Sequence, residues 1–283
     1  MTPKIDPWVR EILVDPFGKL PLEQIEGGFR SSYGRVYRTV DGVIDLRRPA
    51  FHIGADERIW ASGQRHYEQW STGLARADSL DVYRREIASV RQIYEQIPLL
   101  GRVLDVGGHQ GRLREYLADD QQYLSCDPYA SVFADIEKQP NLLRAYRALN
   151  RPCNFVACHA EHLPIAEQTF DVVHMRSVID HFRDPALALI EAFRVLRPAG
   201  QLVVGLTVEG GKSGQAAFSD RIKEAVRHLL PYIGVQRYSD HHVWHPTYRE
   251  LAHLIEASGF RIEKAVWQEG TADRVVYIAA RKA

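Results

Sequence analysis

The chain is expected to fold as an α/β domain on a mainly parallel sheet, preceded by a small β-rich unit. Three observations predict this. From residue 101 onward, short apolar runs alternate with amphipathic stretches. The first of these runs ends in an acid followed by a glycine-rich turn, VLDVGGHQG. Residues 1–50 instead carry short strand-like pieces separated by turn dipeptides, with no helical period beyond the first dozen residues. Strands that alternate with helical patterns imply βαβ units and a sheet covered on both faces.

The elements follow in order. VREILV, RVYRTV and VIDL read as strand-like pieces punctuated by Asp15-Pro16, Gly27-Gly28 and Asp41-Gly42, which favours hairpins. Residues 51–98 read as a connector ending in a helix. Its last part places Tyr83, Ile87, Val90, Tyr94 and Ile97 on one apolar stripe. Residues 99–283 form the main domain. RVLDV, YLSCD, NFVACHA, FDVVHM and QLVVGLT are its strands, while RLREYLA, residues 131–149 and PALALIEAFRVL are helical. Residues 208–246 break the rhythm and read as a lid-like insertion. Thr247-x-x-Glu250 is a capping box that starts a helix, and Gly259 stops it. FRIEKAVWQ and RVVYIAARK alternate as two adjacent strands, read as antiparallel.

Composition narrows the function. Lys+Arg and Asp+Glu are both 36, so nothing favours a protein that grips nucleic acid by charge alone. Three cysteines without a CxxC pair support neither a disulfide framework nor a cysteine-rich zinc site, and they fit a reducing cytoplasmic setting. No run of eighteen apolar residues suggests a membrane span, and the charged, Pro-broken start is unlike a signal peptide.

Ligands of open α/β sheets bind at the carboxyl ends of the strands, and glycines there let backbone approach a ligand closely. Asp127 ends the strand that follows the one ending in Asp105. The interval between the two acids is close to that of a ribose-binding acid, whose carboxylate accepts hydrogen bonds from both ribose hydroxyls. The order Asp105-x-Gly107-x-x-x-Gly111 resembles the first motif of the class I S-adenosylmethionine-dependent methyltransferases. The likeness continues in order as far as Phe260. It runs through Ala160-Glu161-x-Leu163-Pro164, Phe170-Asp171-x-Val173, His181-x-x-Asp184-Pro185, Arg194-Val195-Leu196-x-Pro198-x-Gly200, and finally HPTYRELAHLIEASGF.

The resemblance implies a Rossmann-like, seven-stranded, mainly parallel sheet with an antiparallel last strand, and S-adenosylmethionine as cofactor. It favours the branch that methylates small molecules. It places Asp105, Gly107 and Gly108 at the methionine end of the cofactor, with Gly111 starting the helix beneath it. It assigns Asp127 to the ribose and Pro128 to the adenine face. Ala160, next to Glu161, would offer its amide to the adenine ring, and Met175 and Arg176 would line the pocket mouth. His109 replaces a glycine and is expected to contact cofactor or acceptor. His159 stands where an Asp often meets the adenine amino group, and a neutral imidazole there still accepts one hydrogen bond.

ILVDPFGKLPL with FRSSYGRVYRTVDGVIDL resembles, from Ile12 to Leu46, the zinc-ribbon-like activator subunit of tRNA and release-factor methyltransferases. Asp15, Gly18, Ser31 and Tyr33 occupy the four cysteine positions, so the unit is expected to lack zinc and to be held by apolar packing. Shaping the acceptor pocket or pairing with a second copy are both open roles for it.

His181, after the fourth strand, is expected to overlook the methyl group as a base or acceptor contact, since histidine titrates near neutrality. His242, within Asp240-His241-His242-x-x-His245, is a second catalytic candidate, as a lid or pocket residue. No metal is expected there, because adjacent histidines point in different directions. Trp60, Trp70 and Trp244 could line an aromatic acceptor pocket. Two other readings stay open: methylation of RNA or protein, and a non-catalytic cofactor-binding scaffold.

Overall fold

The computed structural model describes residues 3–47, 78–134, 136–214, 222, 226, 242 and 244–283. Twelve strands share one sheet: β1 (Pro3–Lys4), β2 (Glu23–Ile25), β3 (Gly28–Arg30), β4 (Val36–Val40), β5 (Val43–Asp45), β6 (Val103–Val106), β7 (Tyr123–Asp127), β8 (Cys153–Ala157), β9 (Phe170–Arg176), β10 (Leu196–Thr207), β11 (Phe260–Trp267) and β12 (Val275–Lys282). Their order is β11-β12-β10-β9-β6-β7-β8-β5-β4-β3-β2, with β1 also on the edge of β8.

The seven expected strands are the β6–β12 set. Strands β6 to β10 pair in parallel, and the last strand, β12, runs antiparallel to both of its neighbours. Every residue of β6, β7 and β8 is buried, as strands covered on both faces require. The N-terminal hairpins continue the same sheet, because β5 lies parallel beside β8 and β4, β3 and β2 follow it antiparallel. Asp41 and Gly42 join β4 to β5 with φ of 51° and 80°, the pair of left-handed residues that a tight hairpin turn needs.

Five α-helices are described: α1 (Pro7–Ile12), α2 (Leu80–Gln96), α3 (Pro140–Ala145), α4 (Pro185–Val195) and α5 (Tyr248–Ala257). Helix α2 buries Tyr83, Val90, Ile93 and Tyr94, largely the expected stripe, and packs Val90, Ile93 and Tyr94, with Ile97, against Val103, Val172 and Tyr277. The capping box at α5 is complete: Thr247 Oγ1 accepts from Glu250 N at 3.3 Å, and Glu250 Oε2 accepts from Thr247 N at 2.8 Å.

Three local expectations are corrected. VREILV is not strand-like, because Asp6-Pro7 starts the short helix α1, Pro being preset for a first helical turn. RLREYLA forms only a short 3-10 turn, Arg112–Tyr116, entered from a left-handed Gly111. Residues 131–149 break into α3 and two 3-10 turns, with Pro140 fixing where α3 begins.

Of the four positions read as cysteine-like, Asp15 and Ser31 hold two separate hydrogen-bonded turns. Asp15 Oδ1 accepts from Phe17 N (2.9 Å) and Gly18 N (2.6 Å), and Asp15 Oδ2 accepts from the Tyr37 hydroxyl (2.8 Å). Ser31 Oγ accepts from Arg35 N. A Cβ on Gly18 would lie 2.8 Å from the Tyr33 ring, so positions 18 and 33 do meet. Among the described residues, no helix is long and apolar enough to cross a membrane. Most of 208–246, including Asp240 and His241, lies outside the described residues, as do Trp60 and Trp70.

Candidate functional site

A cavity of about 330 Å³ opens at the carboxyl ends of β6, β7, β8 and β9. Its centre is the glycine loop after β6. Gly107 has φ +72°, and a Cβ there would come within 2.3 Å of Val178 Cγ1. A Cβ on Gly108 would lie 2.5 Å from Asp105 Oδ2 and 2.6 Å from Ser125 Oγ. Any side chain at either position would displace the loop from the cavity floor, so the glycines are a steric requirement.

His109 follows with φ +50°, a backbone conformation that favours glycine. This explains why a glycine is common at this place in the resembling motif. Its amide donates to Asp127 Oδ2 (3.2 Å), and its carbonyl accepts from Ser125 Oγ (2.9 Å). These bonds hold the loop between β6 and β7. His109→Gly is therefore expected to stay within about 1 kcal/mol of wild-type stability, because relief of left-handed strain offsets the added chain entropy. His109→Val, β-branched at positive φ, should cost about 2 kcal/mol or more in denaturant titrations.

Beneath the loop runs a buried polar chain. Tyr123 OH donates to Asp105 Oδ2 (2.6 Å), and His174 Nδ1 lies 2.7 Å from Asp105 Oδ1. Tyr94 OH lies 2.7 Å from His174 Nε2. Burial pushes both phenols well above their ordinary pKa, so both remain protonated donors. A His174 tautomer with the proton on Nδ1 satisfies all four side chains at once. Sequence reading missed His174 and Tyr94 here. The available signal was a histidine inside a buried strand, directly beside Asp105 in the β6–β9 register.

At the nucleotide end, Asp127, Pro128, His159, Ala160 and Glu161 all line the cavity. Asp127 is buried, and its Oδ1 accepts from Tyr129 N (3.0 Å). The N-terminal unit braces this end: Arg47, paired with Asp45, donates to the Pro128 carbonyl (3.0 Å). Glu161 accepts from Arg183 N (2.8 Å) and Asp184 N (3.3 Å), which holds the turn before α4.

Burial pushes the Glu161 carboxyl up despite those bonds. A raised folded-state value means that its contribution to stability is present when protonated and fades as pH rises through that value. Glu161→Gln should therefore be more stable than wild type near neutrality, and the gain should shrink toward roughly pH 4, read from thermal melts across pH. Three assigned residues are not among those that line the cavity: Met175, Gly111 and His242. Met175 is buried in the core below it, and Gly111 packs against Cys153.

At the other end, Arg176, Ser177, Val178, His181 and Phe182 form the rim. His181 sits on the turn Ile179–His181, with the His242 ring 4.5 Å away. His242 Nε2 lies 3.3 Å from Asp180 Oδ2, and Trp244 N donates to the Asp180 carbonyl (3.2 Å). The two histidines singled out from sequence, distant along the chain, thus meet at one carboxylate. Donor atoms of Asp180, His181 and His242 lie within 4.8 Å of one another, a spacing at which the three could hold one metal ion. The arrangement suits an imidazole–carboxylate pair that takes up and passes on a proton.

The sequence profile of the family described as "Methyltransferase domain" matches residues 104–204. The chain is similar to the ubiquinone/menaquinone biosynthesis C-methyltransferase UbiE of Haemophilus ducreyi, 31% identical over 116 residues, covering 38% of this chain and 44% of that protein. It is also similar to the glycine/sarcosine/dimethylglycine N-methyltransferase of Actinopolyspora halophila, 24% identical over 204 residues, covering 62% of this chain and 34% of that protein. The chain spans less than half the length of these curated relatives. In fold it resembles the 1,6-didemethyltoxoflavin-N1-methyltransferase of Burkholderia thailandensis, solved with S-adenosylhomocysteine bound. That likeness has a TM-score of 0.53 at 19% identity and covers 88% of this chain and 96% of that one. The profile match marks a methyltransferase domain over residues 104–204, carried on a Rossmann-like sheet with the glycine loop at its cavity.

Proposed function

We propose that the chain transfers a methyl group from S-adenosylmethionine to a small-molecule acceptor, at oxygen, nitrogen or carbon. The observation that carries this reading is one continuous cavity, running from Asp127 past Gly107 and Gly108 to His181. Its lining suits the cofactor. Gly107 and Gly108 leave room that a Cβ would fill, and Asp127 brings a buried carboxylate to the place where two ribose hydroxyls need an acceptor.

In this reading Asp127 holds the ribose, with Pro128 against the adenine face and His159 and Ala160 at the adenine edge. Asp105, Gly107, Gly108 and His109 border the methionine end. Gly111 and Met175 support this wall from below, and Glu161 holds its outer turn. The bound cofactor supplies an electrophilic methyl on a positively charged sulfur. What remains for the chain is to orient the acceptor in line, exclude water and take a proton where the acceptor has one to lose. His181, touching His242 with Asp180 behind it, is the proton acceptor at the rim. Names such as C-methyltransferase among the relatives favour carbon as the methylated atom, where loss of a proton completes the reaction.

The experiment is transfer of tritiated methyl from S-adenosylmethionine into a cell extract, fractionated by size. Label is expected in small molecules. Label confined to RNA or protein would replace this reading with a macromolecular acceptor. No label despite tight cofactor binding would make the chain a scaffold.

A further inference from the structure

The rim of the cavity gathers metal-ligating side chains from two distant parts of the chain. Asp180 and His181 come from the turn Ile179–His181 that follows β9, and His242 comes from far along the sequence. Each offers one ligand atom, a carboxylate oxygen or an imidazole nitrogen, and the three atoms lie within 4.8 Å of one another. His242 Nε2 stands 3.3 Å from Asp180 Oδ2. Two ligands held about 2.1 Å from a tetrahedral ion are themselves about 3.4 Å apart, so this edge already has the right length. The set needs no pair of adjacent histidines, because the turn after β9 supplies His181.

Backbone bonds hold the two segments together. His181 N donates to the Val178 carbonyl (3.0 Å), and Trp244 N donates to the Asp180 carbonyl (3.2 Å). Further along, Glu209 N donates to the Pro246 carbonyl (2.8 Å). Asp180 is buried while His181 and His242 are half-buried, so the set is sheltered at the carboxylate and open at the imidazoles. Two imidazoles with one carboxylate suit a divalent transition ion; calcium and magnesium prefer oxygen ligands alone. Three protein ligands leave at least one position open, which is the pattern of catalytic zinc sites.

We propose that Asp180, His181 and His242 bind one divalent transition-metal ion such as zinc at the rim of the cavity. Resting on the methyltransferase reading, the open position takes an oxygen of the acceptor, since His181 lines the cavity. That narrows the acceptor to a molecule with a hydroxyl or enol. Coordination makes such an oxygen acidic. Its proton leaves to water. The oxygen, or a carbon conjugated with it, then bonds to the methyl as the bond from the methyl to the cofactor sulfur breaks. While the ion is bound, His181 serves as a ligand, and the ion replaces it in removing the proton.

Calorimetry of the metal-stripped full chain with zinc chloride tests the site. The proteins are wild type, His181→Ala, His242→Ala and, as a control, His253→Ala, which alters an exposed histidine on α5. Wild type and His253→Ala should bind one ion per chain, and the other two variants at least tenfold more weakly. Saturating zinc should also raise the melting temperature of wild type and leave that of His242→Ala unchanged, because only the folded chain brings the ligands together. No zinc binding by wild type, or equal binding by all four proteins, overturns the site.

The acceptor-holding role has its own readout. Transfer of tritiated methyl into small molecules should fall at least tenfold when the metal is stripped and return with added zinc. Equal transfer in the two states, including none in either, overturns that role. Binding of S-adenosylhomocysteine, measured separately, keeps the two readings apart. Zinc bound without it upholds the metal site and drops the methyltransferase reading; the reverse result overturns the metal site and leaves that reading standing.

Discussion

Replacing Asp127 by alanine should weaken binding of S-adenosylhomocysteine by at least about 100-fold. The carboxylate is buried at the end of β7, where it accepts from the His109 amide at 3.2 Å and the Tyr129 amide at 3.0 Å. A carboxylate oxygen has two lone-pair directions, so it can accept a ribose hydroxyl as well as an amide. Hydrogen bonds to a charged acceptor contribute about 1.5–3 kcal/mol each, so losing two costs about 3 kcal/mol or more, which is about two decades in Kd. The variant also frees the His109 amide and loosens the glycine loop, so its loss should exceed that of Asp127→Asn, which keeps one acceptor oxygen. Calorimetric titration of the three proteins with S-adenosylhomocysteine gives the comparison, and equal affinities would remove Asp127 from the site.

Asp105→Ala should lower stability by about 4 kcal/mol, from the donors it strands and the void it leaves. The side chain is the acceptor that joins two donors under the loop, Tyr123 OH and His174 Nδ1, and all three residues are buried. Each stranded donor costs about 1–3 kcal/mol, and the small void above the core adds to this. For a chain of this size that is a fall of roughly 10 °C in melting temperature. His174→Leu alone should cost less. The double variant should cost less than the sum, because the two residues belong to one chain of bonds. Strict additivity in a double-mutant cycle would mean that Asp105 and His174 are not coupled.

The parts of the fold legible in the sequence are those set by local pattern. The buried strands, the capping box at Thr247 and Glu250, the Asp41-Gly42 turn and the antiparallel last strand all rest on residues close together in the chain. The cofactor end was legible for the same reason, since Asp105, the glycines and Asp127 belong to consecutive strand–turn units. Two kinds of feature were not. The short helix α1 and the broken helices after Gly111 and around Pro140 depend on where single prolines and left-handed glycines fall, and these override a moderate periodicity.

The contacts of His174 with Tyr94, and of His242 with Asp180, join residues far apart in the chain. No spacing rule brings them together; the tertiary fold does, and for His174 the sheet register sets it beside Asp105. His109 was an awkward residue in the sequence. Its positive φ shows that it occupies a glycine-type position in the loop.

The most direct test of the central claim is a crystal structure of the protein with S-adenosylhomocysteine. The account predicts both ribose hydroxyls within hydrogen-bond distance of Asp127. The homocysteine tail should lie across Gly107 and Gly108, with its sulfur directed toward the rim that carries His181. A ligand bound outside this cavity, or inside it with the ribose away from Asp127, would contradict the account.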